Sequence, residues 1–175
     1  YGMFLQTAID FILIAFVIAY GTGPAGPGVS RDTMLSAVLV GAVAVIPALL
    51  ISAAWSDRHG RRGIYITGAA LLAAWSFAIF PLLDSGSFVL ICVAIAVGQM
   101  LVAMMYGPQA AFLTELFSTS VRYSGASLGY QLGAILGGGF APIIATALLA
   151  EYQDTLGISI YMAIACIITI VCTAI

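Results

Sequence analysis

The sequence is poor in the residues that a protein surface in water needs. It has no lysine and no asparagine, and its 175 residues include only five arginines, seven carboxylates and one histidine. Charged residues make up 7% of the chain, whereas about 25% is usual for a soluble domain. An ordinary soluble globule is therefore excluded. With a net charge of −2, there is also no basic patch large enough to bind nucleic acid.

Reactive side chains are equally scarce. The three cysteines, Cys92, Cys166 and Cys172, fall inside apolar runs without metal-ligand spacing, so we interpret them as small packing residues. The only histidine, His59, lies in a charged connection, and no Ser/His/Asp or metal-ligand set shares a plane. We therefore predict that the chain is not an enzyme and holds no metal and no organic cofactor.

Apolar residues, in contrast, are abundant. They make up 63% of the chain, and the mean hydropathy of +1.16 places the protein in a lipid bilayer. Crossing about 30 Å of hydrocarbon takes roughly 20 helical residues, and stretches such as Ala37–Ile51 lack the alternation of barrel strands. We predict an all-α membrane protein with six transmembrane helices at residues 3–20, 32–55, 64–83, 87–113, 122–149 and 157–175.

Arginine sets the predicted orientation of these helices. Short connections rich in arginine stay in the cytoplasm, and four of the five arginines lie in or next to connections 56–63 and 114–121. They are Arg58, Arg61, Arg62 and Arg122. We therefore expect both connections on the cytoplasmic side of the plasma membrane. Six helices in a chain that starts at Tyr1 also lead us to expect half of a twelve-helix transporter.

The connection between the second and third helices has a specific order of charges, Asp57-Arg58-His59-Gly60-Arg61-Arg62. Charge alone predicts a topology anchor, and Gly60 permits a tight reversal. The order D-R-x-G-R-R resembles the signature loop of the major facilitator superfamily, although Ala53 stands where that pattern usually has glycine. The resemblance implies that this connection, which we call the gate loop, latches the cytoplasmic side of the transporter. Its gate residues would be Asp57, Arg58, Gly60, Arg61 and Arg62.

A second segment narrows the resemblance. Residues 106–117 read YGPQAAFLTELF, and residues 121–131 read VRYSGASLGYQ. Both strings are similar to the metabolite:proton symporter branch of the superfamily, which includes shikimate, α-ketoglutarate, citrate and proline/betaine transporters. The resemblance implies proton symport of a small polar carboxylate or zwitterion, with the proton as coupling ion. It also suggests that Glu115 and Arg122 join the arginines of the gate loop, although a plain surface ion pair would explain them too.

The resemblance also indicates which half of the transporter this is. In the family's N-terminal half, the fourth helix usually carries a buried arginine, and the fourth predicted helix here has none. We therefore expect the C-terminal half, helices seven to twelve, built as two inverted three-helix repeats. Its expected partners are the lipid bilayer, the missing N-terminal half and a small-molecule substrate.

Polar residues inside the predicted helices mark the candidate cavity. Asp10 is the only charge well inside a helix, where an unpaired charge costs at least about 2.5–3.5 kcal/mol, and Gln6 lies one turn earlier on the same face. Gln99, Tyr106 and Gln109 share one face of the fourth helix. Asp10 suits substrate binding or proton carriage, with snorkelling to water as the alternative. The neutral side chains of the fourth helix suit binding of polar metabolites, with polar contacts between helices as the alternative.

The fifth helix combines a glycine face with a polar face. Glycines at every fourth position allow close helix packing, and the polar Tyr130 and Gln131 point roughly the other way, toward the cavity. We predict a hinge where three glycines precede Pro142, and a kink at Pro108 in the fourth helix. Static packing without bending is the alternative. The spaced glycines are Gly125, Gly129, Gly133 and Gly137.

Other functions stay open at this stage. A sugar-porter-like or drug-efflux relative is the alternative within transport, although the polar stripe on the fourth helix argues mildly against an apolar drug cavity. Outside transport, the chain could serve as a membrane-embedded structural or channel subunit, and a channel would need polar rings contributed by an oligomer.

Overall fold

The computed structural model of the chain describes the backbone of residues 2–115, 122–152 and 154–174, and the side chains in these ranges except at 2–5, 110, 112–115, 122 and 136. Nearly all of this backbone is helical, and the described ranges contain no strand. The helices are α1 (Gly2–Phe11, Ile12–Phe16 and Val17–Thr22), α2 (Arg31–His59), α3 (Arg61–Asp84), α4 (Phe88–Glu115), α5 (Arg122–Gly133, Ala134–Gly138 and Gly139–Tyr152) and α6 (Leu156–Ala174).

Each predicted helix is present, and the largest difference in length is at the end of α2, which continues to His59. Four helices are long and apolar enough to cross a membrane by themselves: Arg31–His59, Arg61–Asp84, Phe88–Gln109 and Leu156–Ala174. The apolar parts of α1 and α5, Gln6–Thr22 and Gly139–Tyr152, are shorter. These are the two helices that a π-helical turn interrupts.

Local sequence explains where α2 begins and ends. The Ser30 hydroxyl accepts a hydrogen bond from the backbone N–H of Thr33 at 3.3 Å, and Asp32 lies in the first turn, where a negative charge favours the helix dipole. Gly60 ends the helix with φ +91°, a conformation that favours glycine. The predicted reversal at Gly60 is therefore confirmed, and the predicted connection 56–63 shortens to this one non-helical residue.

The bundle is organised around α4, which packs against α2 and α3, while α3 also packs against α6. Helix α1 packs against α5 and α6. Small residues allow the closest approaches: a Cβ on Gly107 of α4 would lie 2.9 Å from the Ala53 backbone nitrogen of α2. A Cβ on Gly68 of α3 would lie 3.0 Å from Met105 of α4. The core therefore lies where α3 and α4 meet α1 and α6.

The outer surface of the bundle is apolar. Large hydrophobic side chains are exposed on all six helices, and they are most numerous on α2 and α5. On α2 they include Leu39, Val43, Ile46 and Leu50. In water such a surface would be a strong driving force for association. In a bilayer it is the surface that lipid or another transmembrane helix covers.

Each π-helical turn packs against the other helix: the turn Ala134–Gly138 of α5 contacts Gly2–Phe11 of α1, and the turn Ile12–Phe16 of α1 contacts Gly139–Tyr152 of α5. A Cβ on Gly138 would lie 2.7 Å from the Phe11 ring, next to the other turn. Gly133 and Gly137 are buried on this side, whereas Gly129 is exposed with open space around it. Within this bundle the glycine groove is thus shorter than predicted. It lies at the irregular turn, just before Pro142.

Candidate functional site

The gate loop projects from the end of the bundle where α2 gives way to α3. Asp57 in the last turns of α2 and Arg61 at the start of α3 form an ion pair of 3.8 Å across Gly60. The Asp57 side chain is 69% exposed, so the pair contributes little stability. Arg58 and Arg62 are exposed at the same end. The side chains of Glu115 and Arg122 lie outside the described residues, and the gate role of this loop stays a prediction.

A buried polar contact joins α1 to α3. The hydroxyl of Tyr65 donates a hydrogen bond of 2.6 Å to Oε1 of Gln6. Both side chains are enclosed by the bundle, with 0% of Gln6 and 2% of Tyr65 exposed. This bond orients the amide of Gln6 with its oxygen toward Tyr65. The NH2 group of the same amide therefore points away from Tyr65.

A second group of polar side chains lies beside this contact, between α1, α4 and α5. The side chain of Tyr106 lies close to those of Thr7, Asp10 and Tyr130. Asp10 and Tyr106 are half-buried, and Tyr130 is 43% exposed. Tyr65 is also close to Tyr106, so the two polar groups form one cluster. This cluster extends from the interior of the bundle to its surface.

The structure separates the other predicted cavity residues. Gln99 is buried against α2, where its Oε1 would lie 2.7 Å from a Cβ on Gly41, so it serves as a contact between helices. Gln109 is buried, 3% exposed, one turn beyond Tyr106. Gln131 is exposed on the outside of α5. Only Asp10, Tyr106 and Tyr130 therefore meet at a partly open surface.

Sequence reasoning missed two members of the cluster, Thr7 and Tyr65. Tyr65 follows the arginines of the gate loop and resembles an interfacial aromatic residue, which is a common location for tyrosine at a membrane boundary. Its burial and its bond to Gln6 depend on the packing of α3 near α1. Thr7 follows Gln6 directly in the sequence. The presence of a hydroxyl next to the amide could have indicated that Thr7 also belongs to the polar cluster.

A separate polar contact lies at the end of the bundle opposite the gate loop. The hydroxyl of Tyr20 donates a 2.6 Å hydrogen bond to Oδ1 of Asp84, joining the ends of α1 and α3. The Tyr20 ring packs against Phe16 and Phe80. A cavity of about 380 Å³ lies beside it, lined by these polar groups, the loop after α1 and Asp154.

The described residues contain no group of three or more His, Cys, Asp or Glu side chains that could hold a metal ion. The three cysteines are free thiols, and Cys166 is buried. The polar cluster offers hydroxyls, an amide and one carboxylate, groups that hydrogen-bond polar solutes or exchange protons.

Comparison with known families identifies the chain. The pattern of the Major Facilitator Superfamily matches residues 2–175. The chain belongs to this superfamily. Known transporters of metabolites are similar to it: the shikimate transporter of Escherichia coli (strain K12) is 34% identical over 91% of the chain and 36% of its own length. The citrate-proton symporter of Klebsiella pneumoniae is 33% identical over 82% of the chain and 32% of its own length.

A third relative is an inner membrane metabolite transport protein of Escherichia coli, which is 31% identical over 86% of the chain and 36% of its own length. The chain thus spans about a third of the length of these curated relatives. No solved structure matches it. The resemblance to the metabolite:proton symporter branch is confirmed, as is the all-α multi-pass membrane fold of a half-transporter.

Proposed function

We propose that the chain is the C-terminal six-helix half of a secondary transporter that moves a small polar metabolite, a carboxylate or a zwitterion, by alternating access with proton symport. The observation that carries the proposal is the cluster of Asp10, Tyr106 and Tyr130. It brings polar groups from α1, α4 and α5 to one partly open surface of the bundle. Superfamily membership supports transport as the use of that surface.

The cost of these groups in lipid supports a cavity on that side. A carboxylate facing hydrocarbon costs at least about 2.5–3.5 kcal/mol, and half-buried Asp10 interacts electrostatically with the polar side chain of Tyr106. Ionisable groups within spanning helices face a bundle interior or a water-filled space. Asp10 is therefore the proposed proton carrier, and the two tyrosine hydroxyls are proposed ligands of the solute.

The missing N-terminal half is the proposed cover of this surface. Polar side chains continue along the exposed side of α5, where Tyr123 is 87% exposed and Gln131 is exposed about two turns further on. Groups of this kind are unfavourable against acyl chains. A second bundle placed here would enclose the cluster between the halves, and rocking of the two bundles would open it alternately to each side.

The gate loop gives the proposed orientation. The arginine bias of Arg58, Arg61 and Arg62 supports a cytoplasmic location for the junction of α2 and α3, in the plasma membrane. Asp57 would stabilise one state of the transporter through contacts that break in the other. The pair with Arg61 is a local contact that such a rearrangement would exchange.

Uptake by the full-length protein tests the proposal. The protein is reconstituted in vesicles, and uptake of labelled shikimate, citrate and proline is measured with and without an inward proton gradient. We expect accumulation of at least one solute above its external concentration only when the gradient is present. Equal uptake with and without the gradient would refute proton symport. Absence of uptake of all three solutes would refute the proposed substrate class.

A further inference from the structure

Two buried glutamines have unused hydrogen-bonding groups: Gln6, which belongs to the polar cluster, and Gln109, which lies one turn from Tyr106. Within the described part of the chain, Nε2 of Gln6 and both Oε1 and Nε2 of Gln109 have no hydrogen-bond partner. Gln6 is 0% exposed and Gln109 is 3% exposed, so bulk solvent does not reach them. Buried polar groups in proteins nearly always have a partner, either protein or a bound molecule. These three atoms therefore point to a ligand.

Helix geometry places the two amides at one depth. The Leu13 side chain of α1 lies against Gly98 of α4, which sets the register of these antiparallel helices. From that contact, Gln6 lies about 10 Å and Gln109 about 16 Å further toward the gate-loop end, at about 1.5 Å per residue. Helical side chains lean toward the N-terminus of their own helix. The Gln6 side chain thus leans toward the gate-loop end, and the Gln109 side chain leans away from it. Both tilts reduce the difference in depth between the two amide groups.

Tyr65 links the two amides laterally. Its hydroxyl bonds to Gln6, and the side chain interacts electrostatically with Tyr106, which is one helical turn from Gln109 on α4. The Gln6 oxygen is already occupied by Tyr65. The free groups are therefore one NH2 from Gln6, and one NH2 and one carbonyl oxygen from Gln109.

We propose that Gln6 and Gln109 form a binding site for a hydroxyl group, which accepts a hydrogen bond from the amide N–H groups and donates one to the free oxygen of Gln109. A carboxylate could only accept, and its charge would lie one turn from Asp10. An ammonium group could only donate. The hydroxyl belongs either to an internal water molecule or to the transported solute, and the second source rests on the proposed function.

The experiment uses the full-length protein with Gln109→Met and Gln6→Met. Methionine keeps an unbranched side chain in the bundle but removes the amide. Gln99→Met is the matched control, because Gln99 is equally buried on α4 but contacts Gly41 of α2. Monodisperse elution in detergent shows that each variant is folded. Because the two test variants change different helices, the conclusion does not depend on the behaviour of one variant alone.

The first measurement detects water. Radiolytic hydroxyl-radical labelling of the purified protein without solute modifies side chains next to ordered water even when they are buried. If water is the source, we expect labelling of Tyr65 in the wild type and an about fivefold or greater decrease in both test variants. Labelling in Gln99→Met should stay at the wild-type value.

The second measurement detects a solute hydroxyl. Uptake of citrate is compared with uptake of tricarballylate, which lacks only the hydroxyl. If the solute is the source, we expect the wild type to prefer citrate about tenfold or more and the two test variants to lose that preference, with Gln99→Met retaining it. Unlabelled Tyr65 together with an unchanged preference would overturn the proposal. The labelling does not require transport, so a protein that failed to move any solute would still decide the water source.

Discussion

Replacing Gly107 by alanine should weaken the contact between α2 and α4. The added Cβ would overlap the Ser52 hydroxyl, and it would lie 2.9 Å from the Ala53 nitrogen and 3.2 Å from the Leu49 carbonyl oxygen. Two of these atoms are backbone of α2 and cannot rotate away, so the helices must move apart. Overpacking of this kind costs about 1–3 kcal/mol.

The gain in helix propensity offsets part of that cost. Alanine is favoured over glycine in a helix by about 1 kcal/mol, so we expect Gly107→Ala to lower the free energy of unfolding by up to about 2 kcal/mol. Gly129→Ala is the control, because its Cβ meets no atom within 4 Å. That variant should be neutral or slightly stabilising. Ser52→Ala in the Gly107→Ala background should recover part of the loss, since it removes one of the three overlapping atoms.

The assay is SDS-induced unfolding of the full-length protein in mixed micelles, followed by tryptophan fluorescence. The midpoint for Gly107→Ala should fall below that of the wild type, and the midpoint for Gly129→Ala should not. Equal midpoints for the two variants would refute the close approach of α2 and α4. Full loss without any recovery in the double variant would assign the clash to the backbone alone.

Three further outcomes test orientation, gating and coupling. In a cysteine-free background, a single cysteine at His59, which is exposed at the end of α2, should resist membrane-impermeant maleimide added outside intact cells, and strong labelling would contradict the proposed orientation. Asp57→Asn should reduce uptake about tenfold or more while expression and thermal stability stay near wild type, and wild-type uptake would exclude a gate role. Asp10→Asn should abolish the dependence of uptake on external pH, and an unchanged pH profile would show that Asp10 carries no proton.

Much of the architecture could be predicted from the sequence because transmembrane helices are determined locally. A run of roughly 20 apolar residues crosses the bilayer regardless of its neighbours, so each of the six helices was located to within a few residues. The start of α2 at Ser30 and its end at Gly60 were also local, since they depend on one capping hydroxyl and one positive φ.

The apolar pattern of the sequence did not predict which neighbouring helix each polar side chain would contact. Gln99 and Tyr106 share a face of α4, yet Gln99 contacts α2 while Tyr106 lies close to α1 and α5, because neighbouring helices cross that face at different depths. Gly129 and Gly137 belong to one glycine repeat, but only Gly137 is buried in the bundle.

The sequence by itself determined the membrane environment, the six helices, the family and the set of polar residues inside the bilayer. The tertiary structure decided which of them meet: Tyr65 bonds to Gln6 at 2.6 Å across 59 residues, and Tyr106 joins Asp10 to Tyr130. Helix periodicity states which residues share a face, whereas the identity of the partner depends on the order and depth at which the helices pack. The glutamine pair could therefore be found only once α1 and α4 were placed side by side.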